Sequence, residues 1–425
     1  MISKFIKNTF ILIIGGFITK ILGMIIKIIM TRNISTESMS LYTLTLPTYN
    51  LFITIVTLSL TISISKLVSE NKINKEKIMN SSLFISFIIS IISTIILLIF
   101  IKPITLLLHN DNLYYPLLSI ILSLPFISIS TCIRGYFFGK NKMLVQVISN
   151  LLEQLSRIIL FIIFLPRINN DIKAVIFILG SNMFSEIISI FTMSLFIPKK
   201  NLRLSKPDRS VTNELLKISI PTTLQKLISV ISYFFEPIVL TNLLIMNGYT
   251  NKYISTEYGI INGYTIALLM LPSFFTNAIS QVIIPNISNA YINKKYKYIK
   301  TKIKQVLFLS LLIGISYTVL IMIKKESIMG LIYNTNKGIK YINIIAPVFI
   351  LLYLEGPLNS ILQSFNKPKT ILLTSIIGII IKYSLMIFLS FMKFGIYSFI
   401  IPMLINIIFV VLLNSIKIIK EVNSF

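Results

Sequence analysis

The chain of 425 residues is 55% hydrophobic and only 13% charged, about half the charged share of an average soluble domain. With a mean hydropathy of +0.86, this composition excludes a soluble enzyme, a disordered tail protein and a secreted disulfide scaffold. The 40 basic residues exceed the 14 acidic ones, and a net charge of +26 would suggest a nucleic-acid partner in a soluble protein. Here the basic residues lie in short gaps between long apolar runs, as in membrane proteins, so we expect no nucleic-acid partner.

Twelve apolar runs are each long enough to cross about 30 Å of hydrocarbon. In chain order they cover 9–30, 43–65, 79–101, 113–133, 144–165, 173–197, 214–240, 259–284, 304–323, 340–364, 370–390 and 395–416. Runs of this length need the internal backbone hydrogen bonds of a helix, and they lack the alternating polarity of barrel strands. The first run has no small-residue cleavage site and predicts a membrane helix, not a cleaved signal peptide. The sequence therefore predicts an all-α polytopic membrane protein with about 12 transmembrane helices.

Lysine and arginine are unevenly divided between the two sides of this predicted bundle. The termini and the even-numbered loops hold 25 of the 40, whereas the odd-numbered loops hold 10. The densest group is the run of lysines from Lys294 to Lys304. Because basic residues accumulate on the cytoplasmic side, this bias predicts that both the N-terminus and the C-terminus are cytoplasmic. Arg134, at the cytoplasmic edge of span four, is expected to be part of this positive-inside pattern.

The largest polar connector divides the spans six and six. It predicts an N-terminal six-helix lobe at 1–198, a cytoplasmic connector at 199–213 and a C-terminal six-helix lobe at 214–425. The lysine-containing turn at 138–142, after span four, has a counterpart at 365–369, after span ten. Both halves begin on the same side, which favours a parallel repeat, an organisation typical of transporters. The alternative is that lysine-rich turns are simply ordinary cytoplasmic loops.

Five basic residues lie inside the predicted spans, where an ionisable group is costly. They are Lys20, Lys27, Arg157, Lys226 and Lys382. Lys20 and Lys27 are seven residues apart and share a face of the first helix, which predicts a cationic stripe facing a water-filled cavity that binds substrate. The alternative is that Lys27 extends to the membrane surface while Lys20 pairs with a glutamate from another helix.

Four glutamates lie at similar depth and are candidates for ion or proton coupling, or for pairing with these cations. They are Glu153, Glu186, Glu236 and Glu355. Glu153 and Arg157 have the spacing that pairs two side chains on one helix, although Arg157 has further donors for a ligand phosphate. Glu236 and Glu355 each precede a proline-containing segment, where a bend would let a carboxylate take a proton or help to hold Na⁺.

Polar amides mark span eight as a helix that faces the cavity. The candidates are Asn262, Asn277 and Gln281, although small polar residues also serve in plain helix packing. A single histidine, His109, and a single cysteine, Cys132, assemble no catalytic or metal site. No GxxxxGK[ST] run is present, so ATP hydrolysis is not expected. The sequence predicts a protein that is not an enzyme and has no cofactor.

Short motifs spread over almost the whole chain form a recognisable set. They are Gly-Phe-Ile-Thr-Lys-Ile-Leu-Gly at 16–23, Ser-Lys-Leu-Val-Ser-Glu at 65–70, Arg-Gly-Tyr-Phe at 134–137, Glu-Gln at 153–154, Thr-Asn-Ala at 276–278 and Ser-Ile-Leu-Gln at 360–363. This set resembles the family of stage V sporulation protein B, within the multidrug/oligosaccharidyl-lipid/polysaccharide export superfamily. The resemblance implies two six-helix lobes around a central cavity, a bacterial cytoplasmic membrane, and a lipid-linked saccharide for spore-cortex or cell-envelope peptidoglycan. Related lipid II flippases use basic residues on the first helix, at positions that match Lys20 and Lys27. This chain has lysine where arginine is common, which removes bidentate phosphate geometry.

Two functions from different classes of cargo follow. The first is a flippase that moves a polyprenyl-pyrophosphate-linked saccharide by alternating access, because a cationic cavity would offset the desolvation of pyrophosphate. Its expected partners are a lipid-linked saccharide of the undecaprenyl-pyrophosphate type, membrane lipids, and H⁺ or Na⁺. The alternative is a multidrug or metabolite cation antiporter of the same superfamily, whose cargo would require exposed carboxylates. The sign of the charge that faces the cavity discriminates between the two, and the sequence favours basic residues there.

Overall fold

A computed structural model describes residues 2–198 and 207–423, without the side chains of 2–10, 12, 13, 281, 282, 285, 286 and 292. Eleven helices in these ranges are long and apolar enough to cross a membrane. Twelve spans result when the bent pair Asn251–Leu269 and Ser273–Ser280 counts as one. The prediction of an all-α polytopic membrane protein is therefore confirmed.

The chain forms two compact units, Met1–Ile238 and Val239–Phe425. Their boundary lies within a long helix that follows the connector. The connector predicted at 199–213, and with it the predicted lobe boundaries, stays a prediction, and its residues 199–206 lie outside the described part of the chain.

Within the described residues, the first unit contains seven α-helices and most of an eighth. They are α1 (Ile2–Asn33), α2 (Thr36–Thr57), α3 (Leu60–Glu70), α4 (Lys75–Leu107), α5 (Tyr114–Gly139), α6 (Met143–Phe164), α7 (Asp171–Ser194) and α8 (Arg209–Met246). Polar residues begin three of these helices, since Ser35, Asn74 and Asn170 each accept a hydrogen bond from a first-turn backbone N–H. Such caps satisfy donors that a helix start leaves free.

The second unit continues from α8 with shorter pieces followed by four long helices. They are α9 (Asn251–Ile260), a π-helical turn (Ile261–Ile266), α10 (Ala267–Leu269), α11 (Ser273–Ile292), α12 (Tyr296–Tyr333), α13 (Ile339–Ser364), α14 (Pro368–Phe391) and α15 (Tyr397–Asn423). Buried apolar residues of α11, α12, α13 and α15 form one core of this unit.

Span two is interrupted, although the sequence predicts one continuous helix over 43–65. Leu58 and Ser59, between α2 and α3, have left-handed backbone angles with φ of 40° and 48°. Such angles cost a non-glycine residue about 1–2 kcal/mol. The break frees the carbonyl oxygen of Val56, which accepts a hydrogen bond from Ser128 Oγ of α5 at 3.1 Å. A neighbouring helix thus satisfies the backbone that the interruption exposes.

Span eight is also interrupted, and its two parts meet at a bend of 55°. Pro272 has no N–H to donate to the carbonyl oxygen of Leu268. The Tyr317 hydroxyl donates to this oxygen at 2.9 Å, and the Tyr353 hydroxyl donates to the oxygen of Leu269 at 2.5 Å. Spans two and eight hold the same place in the two predicted six-span halves, so both halves interrupt the corresponding helix.

Glycines let α5 pack closely against α3. A Cβ atom on Gly135 would lie 2.9 Å from Ile64 Cβ, and one on Gly139 would lie 2.6 Å from Val68 Cβ. The two glycines are four residues apart and therefore lie on one helix face, the small-xxx-small arrangement of membrane helix pairs. The close approach of α3 and α5 is therefore possible because Gly135 and Gly139 have no side chain.

We expect Gly139→Ala to lower the free energy of unfolding by about 1–3 kcal/mol, because the added methyl overpacks a close helix contact. The matched control is Gly180→Ala on α7, where no atom lies within 4 Å of the added Cβ. This control should leave stability unchanged or raise it by up to about 1 kcal/mol, because alanine favours helix. Thermal unfolding of both purified variants in detergent measures the difference. Equal stability of the two variants would contradict the packing argument.

The start of α8 is tied to α4 through Asp208. Its carboxylate accepts hydrogen bonds from Ser210 N and Ser210 Oγ at 3.0 and 2.6 Å, and from Lys77 Nζ at 2.9 Å. Asp208 N also donates to Ser81 Oγ at 3.0 Å. The hydrogen bonds from Ser210 and then Lys77 hold the pKa of this exposed carboxyl well below its ordinary value.

A lowered pKa makes this attachment sensitive to acid. Ionised Asp208 contributes stability above the ordinary aspartate pKa of about 3.9, and the contribution fades as pH falls towards the lowered pKa. We therefore expect wild type to be more stable than Asp208→Asn at neutral pH, with the difference shrinking as the solution is acidified through that range. Thermal unfolding of both proteins across a pH series measures this. A difference that is independent of pH would refute the role of the ionised carboxylate.

Candidate functional site

Four charged side chains from three helices meet inside the first unit. Arg134 lies on α5, Glu153 and Arg157 on α6, and Glu186 on α7. Arg134 Nη2 is 2.7 Å from Glu153 Oε2 and 3.3 Å from Glu186 Oε2. Arg157 Nη2 is 3.3 Å from Glu153 Oε1. We call these four residues the Arg134 cluster, and its two positive and two negative charges balance.

Serines on α6 and α7 add hydrogen bonds to the cluster. Arg157 Nη2 donates to Ser185 Oγ at 2.9 Å, and Arg134 Nη2 donates to Ser189 Oγ at 3.2 Å. The Ser149 and Ser189 hydroxyls are 2.7 Å apart. These small polar side chains let the helices approach one another and accept hydrogen bonds from the two arginines, although the Nε atoms of Arg134 and Arg157 are buried without a hydrogen-bond partner among the described residues. The cluster therefore joins α5, α6 and α7 by polar contacts inside the first unit.

Arg134 is the residue of this cluster that sequence reasoning missed. It was expected to be a positive-inside residue at the membrane edge, whereas its guanidinium pairs with Glu153 and Glu186 inside the unit. Helix α5 continues to Gly139, so Arg134 lies more than a turn inside the helix, with only 24% of its side chain exposed. The sequence did contain a hint of this pairing. The predicted spans five and six hold two glutamates but a single arginine, Arg157, so one glutamate needed a cation from another helix.

Lys20 and Lys27 lie on α1 and have different surroundings. Lys20 is exposed, whereas Lys27 is half-buried, with Nζ 3.9 Å from Met39 Sδ and 5.4 Å from the centre of the Tyr42 ring. A sulfur atom and an aromatic face are weak partners for an ammonium group. Within the described residues, no carboxylate lies within ion-pair distance of either lysine. The glutamate partner considered for Lys20 is therefore not observed in the described chain.

The same unit contains two further candidates, both on α8. Lys226 is exposed and, among the described residues, forms no ion pair. Glu236, next to Pro237, is 6% exposed and takes part in interactions inside the unit. Within the described residues, the two carboxylates of the Arg134 cluster are thus paired with arginine, while Lys20, Lys27 and Lys226 form no ion pair.

The remaining candidates belong to the second unit. Lys382 on α14 is 8% exposed, with Nζ 5.7 Å from the centre of the Tyr383 ring. Asn262 Nδ2 donates to the carbonyl oxygen of Tyr258 at 3.2 Å, within its own helix. Asn277 packs against α13, since a Cβ on Gly356 would lie 2.8 Å from Asn277 Oδ1.

Two further positions on α11 and α13 complete the set. Glu355 on α13 is half-buried and, within the described residues, has no hydrogen-bond or ion-pair partner. The side chain of Gln281 lies outside the described part of the chain, although its backbone is in α11. Among the candidates of the second unit, Glu355 is therefore the carboxylate without a partner in the described chain, and Lys382 is the buried lysine.

Comparisons with known proteins agree with this architecture. A family model described as polysaccharide biosynthesis protein matches residues 5–291. Stage V sporulation protein B of Bacillus subtilis (strain 168) is 32% identical over 405 residues, covering 91% of this chain and 78% of the relative. Lipid II flippase MurJ of the same organism is 24% identical over 428 residues, covering 90% of this chain and 76% of the relative.

A solved structure shares the fold. It is a multidrug resistance MATE family transporter of the MOP superfamily in an inward-facing conformation, with a TM-score of 0.80 at 14% identity. The match covers 96% of this chain and 95% of the other. At this identity the likeness concerns the fold alone. The resemblance drawn from the sequence motifs is confirmed by the family model and by stage V sporulation protein B. This multi-pass membrane protein therefore belongs to the polysaccharide biosynthesis protein family.

Proposed function

We propose that the protein is a flippase that moves a polyprenyl-pyrophosphate-linked saccharide across the bacterial cytoplasmic membrane by alternating access. One observation carries the proposal: Lys20 and Lys27 share a face of α1 and lack a carboxylate partner among the described residues. The carboxylates of the Arg134 cluster are already paired with arginine. The unpaired charge of this site is positive, which suits an anionic cargo and not a cationic one.

The chemistry of pyrophosphate explains why two cations are needed. The group carries several negative charges and loses hydration when it enters a low-dielectric region. Lys20 and Lys27 are separated by about 10 Å along the helix axis, since each residue advances α1 by about 1.5 Å. The Lys20 side chain is exposed at the surface of α1 and can be reached by a cargo, whereas half-buried Lys27 acts where its charge is screened less. With this spacing, the pyrophosphate group can bind first to one lysine and then to the other as it moves along the helix.

The cargo, its destination and the orientation of the chain in the membrane are supported by different observations. The pyrophosphate-linked saccharide follows from the site chemistry together with a relative named a lipid II flippase. Destination in the spore cortex or cell envelope follows from a relative named a sporulation protein. The uneven distribution of lysine and arginine supports a cytoplasmic position for both termini. No catalytic step is part of this proposal.

Glu355 supports a second element, which is coupling to H⁺ or Na⁺. Its carboxylate is half-buried in α13 and, within the described residues, is unpaired. An unpaired carboxylate at this depth is costly unless it takes a proton or a cation. The same observation favours the second candidate function, a multidrug or metabolite cation antiporter. In that case the cation would bind Glu355, and the lysines of α1 would have no role in cargo binding.

Translocation of fluorescent lipid II in proteoliposomes separates the two functions. The full chain is reconstituted, and the label that reaches the opposite leaflet is measured with a membrane-impermeant quencher. Four conditions are compared: no gradient, an imposed membrane potential, a proton gradient and a sodium gradient. We expect translocation above that of protein-free vesicles in at least one of them. If no condition supports lipid translocation while a cationic dye is exchanged for H⁺ or Na⁺, the antiporter is the function.

A further inference from the structure

Six lysines lie within eleven residues at the start of α12, and transport as proposed uses none of them. They are Lys294, Lys295, Lys297, Lys300, Lys302 and Lys304. No aspartate or glutamate occurs in the sequence between Glu257 and Glu326, so nothing nearby along the chain balances this charge. A run of this density immediately beside a membrane span is typical of a surface that meets anionic lipid.

Three of these lysines form a stripe on the outside of the helix. Lys297, Lys300 and Lys304 are all exposed, and their spacing of three and four residues places them on one face. Ile299 and Ile303 lie on the opposite face, are 0% and 7% exposed, and pack in the core of the second unit. Because the apolar face is fixed in that core, the lysine stripe is held pointing away from it.

The stripe is unfavourable for the helix on its own. The first turns of a helix carry a partial positive charge, which repels lysine, and like charges three or four residues apart repel each other. Within the described residues, none of the six lysines forms an ion pair with a carboxylate. An anion outside the described chain would relieve both kinds of repulsion.

The position of the lysine stripe relative to the membrane indicates which anion it can bind. Tyr296–Tyr333 is a candidate membrane span, and its apolar run begins near residue 304, so the turns just before that run are expected at the level of the lipid headgroups. Tyr298 is 43% exposed there, and Lys302 Nζ lies 5.5 Å from the centre of its ring. Tyrosine and lysine together are common at the membrane–water interface. We propose that Lys297, Lys300 and Lys304 form a binding surface for the phosphodiester headgroups of anionic phospholipids.

Native mass spectrometry of the full chain in neutral detergent tests this surface. Phosphatidylglycerol or phosphatidylcholine is added in increasing amounts, and the lipid-bound fraction is measured. Wild type should retain phosphatidylglycerol in preference to phosphatidylcholine. The variant Lys297→Gln/Lys300→Gln/Lys304→Gln should weaken retention of phosphatidylglycerol by about tenfold or more, because each lysine near the surface contributes to anionic-lipid binding. High salt should reduce wild-type retention in the same direction.

Two matched variants make the result specific. Lys297→Arg/Lys300→Arg/Lys304→Arg keeps the charge and should retain phosphatidylglycerol as wild type does. Lys66→Gln/Lys72→Gln/Lys75→Gln removes the same number of charges from the first unit, where Glu70 and Glu76 lie beside them in the sequence, and should also retain it. Equal retention of the two lipids by wild type, or unchanged retention by the α12 glutamine variant, would overturn the proposal. Gel filtration shows whether each variant remains folded. Lipid translocation is measured in a separate assay, so a failure of the flippase proposal can be distinguished from a failure of the lipid-binding surface.

Discussion

Replacing Lys20 and Lys27 together by glutamine is expected to slow translocation of fluorescent lipid II by about 100-fold. A hydrogen bond to a charged group is worth about 1.5–3 kcal/mol, and we take the low end of this range for each lysine. Each lysine then accounts for about a factor of ten in rate, because 1.4 kcal/mol corresponds to a tenfold change. The initial rate of label transfer in proteoliposomes measures the effect, and each single variant should show about one tenth of the wild-type rate.

Two controls separate charge from structure in this experiment. Lys102→Gln/Lys173→Gln removes two exposed lysines from the same unit and should leave the rate unchanged. Lys20→Arg/Lys27→Arg keeps both charges and adds the planar donors that bind phosphate in pairs, so its rate should equal or exceed that of wild type. Wild-type rates in a folded Lys20→Gln/Lys27→Gln protein would show that the α1 lysines do not bind the cargo.

The helices were predictable from sequence because the bilayer leaves the backbone few choices. A run as long and apolar as 79–101 must form internal hydrogen bonds, and α4 contains it entirely. The break at Pro272 had a local cause, since proline lacks an N–H. The break at Leu58 had none, because neither glycine nor proline marks it. It depends on Ser128 of another helix, and such a contact has no signature in the local sequence.

The candidate site was predictable to the extent that it lies on single helices. The pair of Glu153 and Arg157 followed from a spacing of four residues, and the structure contains it. The shared face of Lys20 and Lys27 likewise follows from helix geometry. Arg134 of α5 pairs with Glu153 of α6 and with Glu186 of α7. These contacts between helices depend on how the helices pack, which the spacing along the sequence does not reveal. Charges that meet across helices are found by balancing their signs, not by their spacing along the chain.

The Arg134 cluster should be required for stability. Arg134→Gln is expected to lower the free energy of unfolding by about 3 kcal/mol, because Glu186 loses its cation while remaining inside the helices. This value is the low end of the range for broken buried pairs, since about a quarter of the Arg134 side chain is exposed. Thermal or denaturant unfolding in detergent measures it. The matched control Lys77→Gln removes an ion pair whose lysine is 55% exposed and should cost less than about 1 kcal/mol.

A double variant shows whether this effect comes from the charges themselves. If Arg134→Gln destabilises by leaving Glu186 uncompensated, then adding Glu186→Gln removes the orphaned charge and should restore part of the lost stability. The coupling energy in this cycle is expected to be about 1–3 kcal/mol, the range for residues in one ion-pair network. Strict additivity would mean that the two side chains act independently. Because the cluster is neutral, the stable double variant should still translocate lipid II within about tenfold of wild type, unlike the lysine variant of α1. That contrast separates the charges that hold α5, α6 and α7 together from the charges that bind the pyrophosphate.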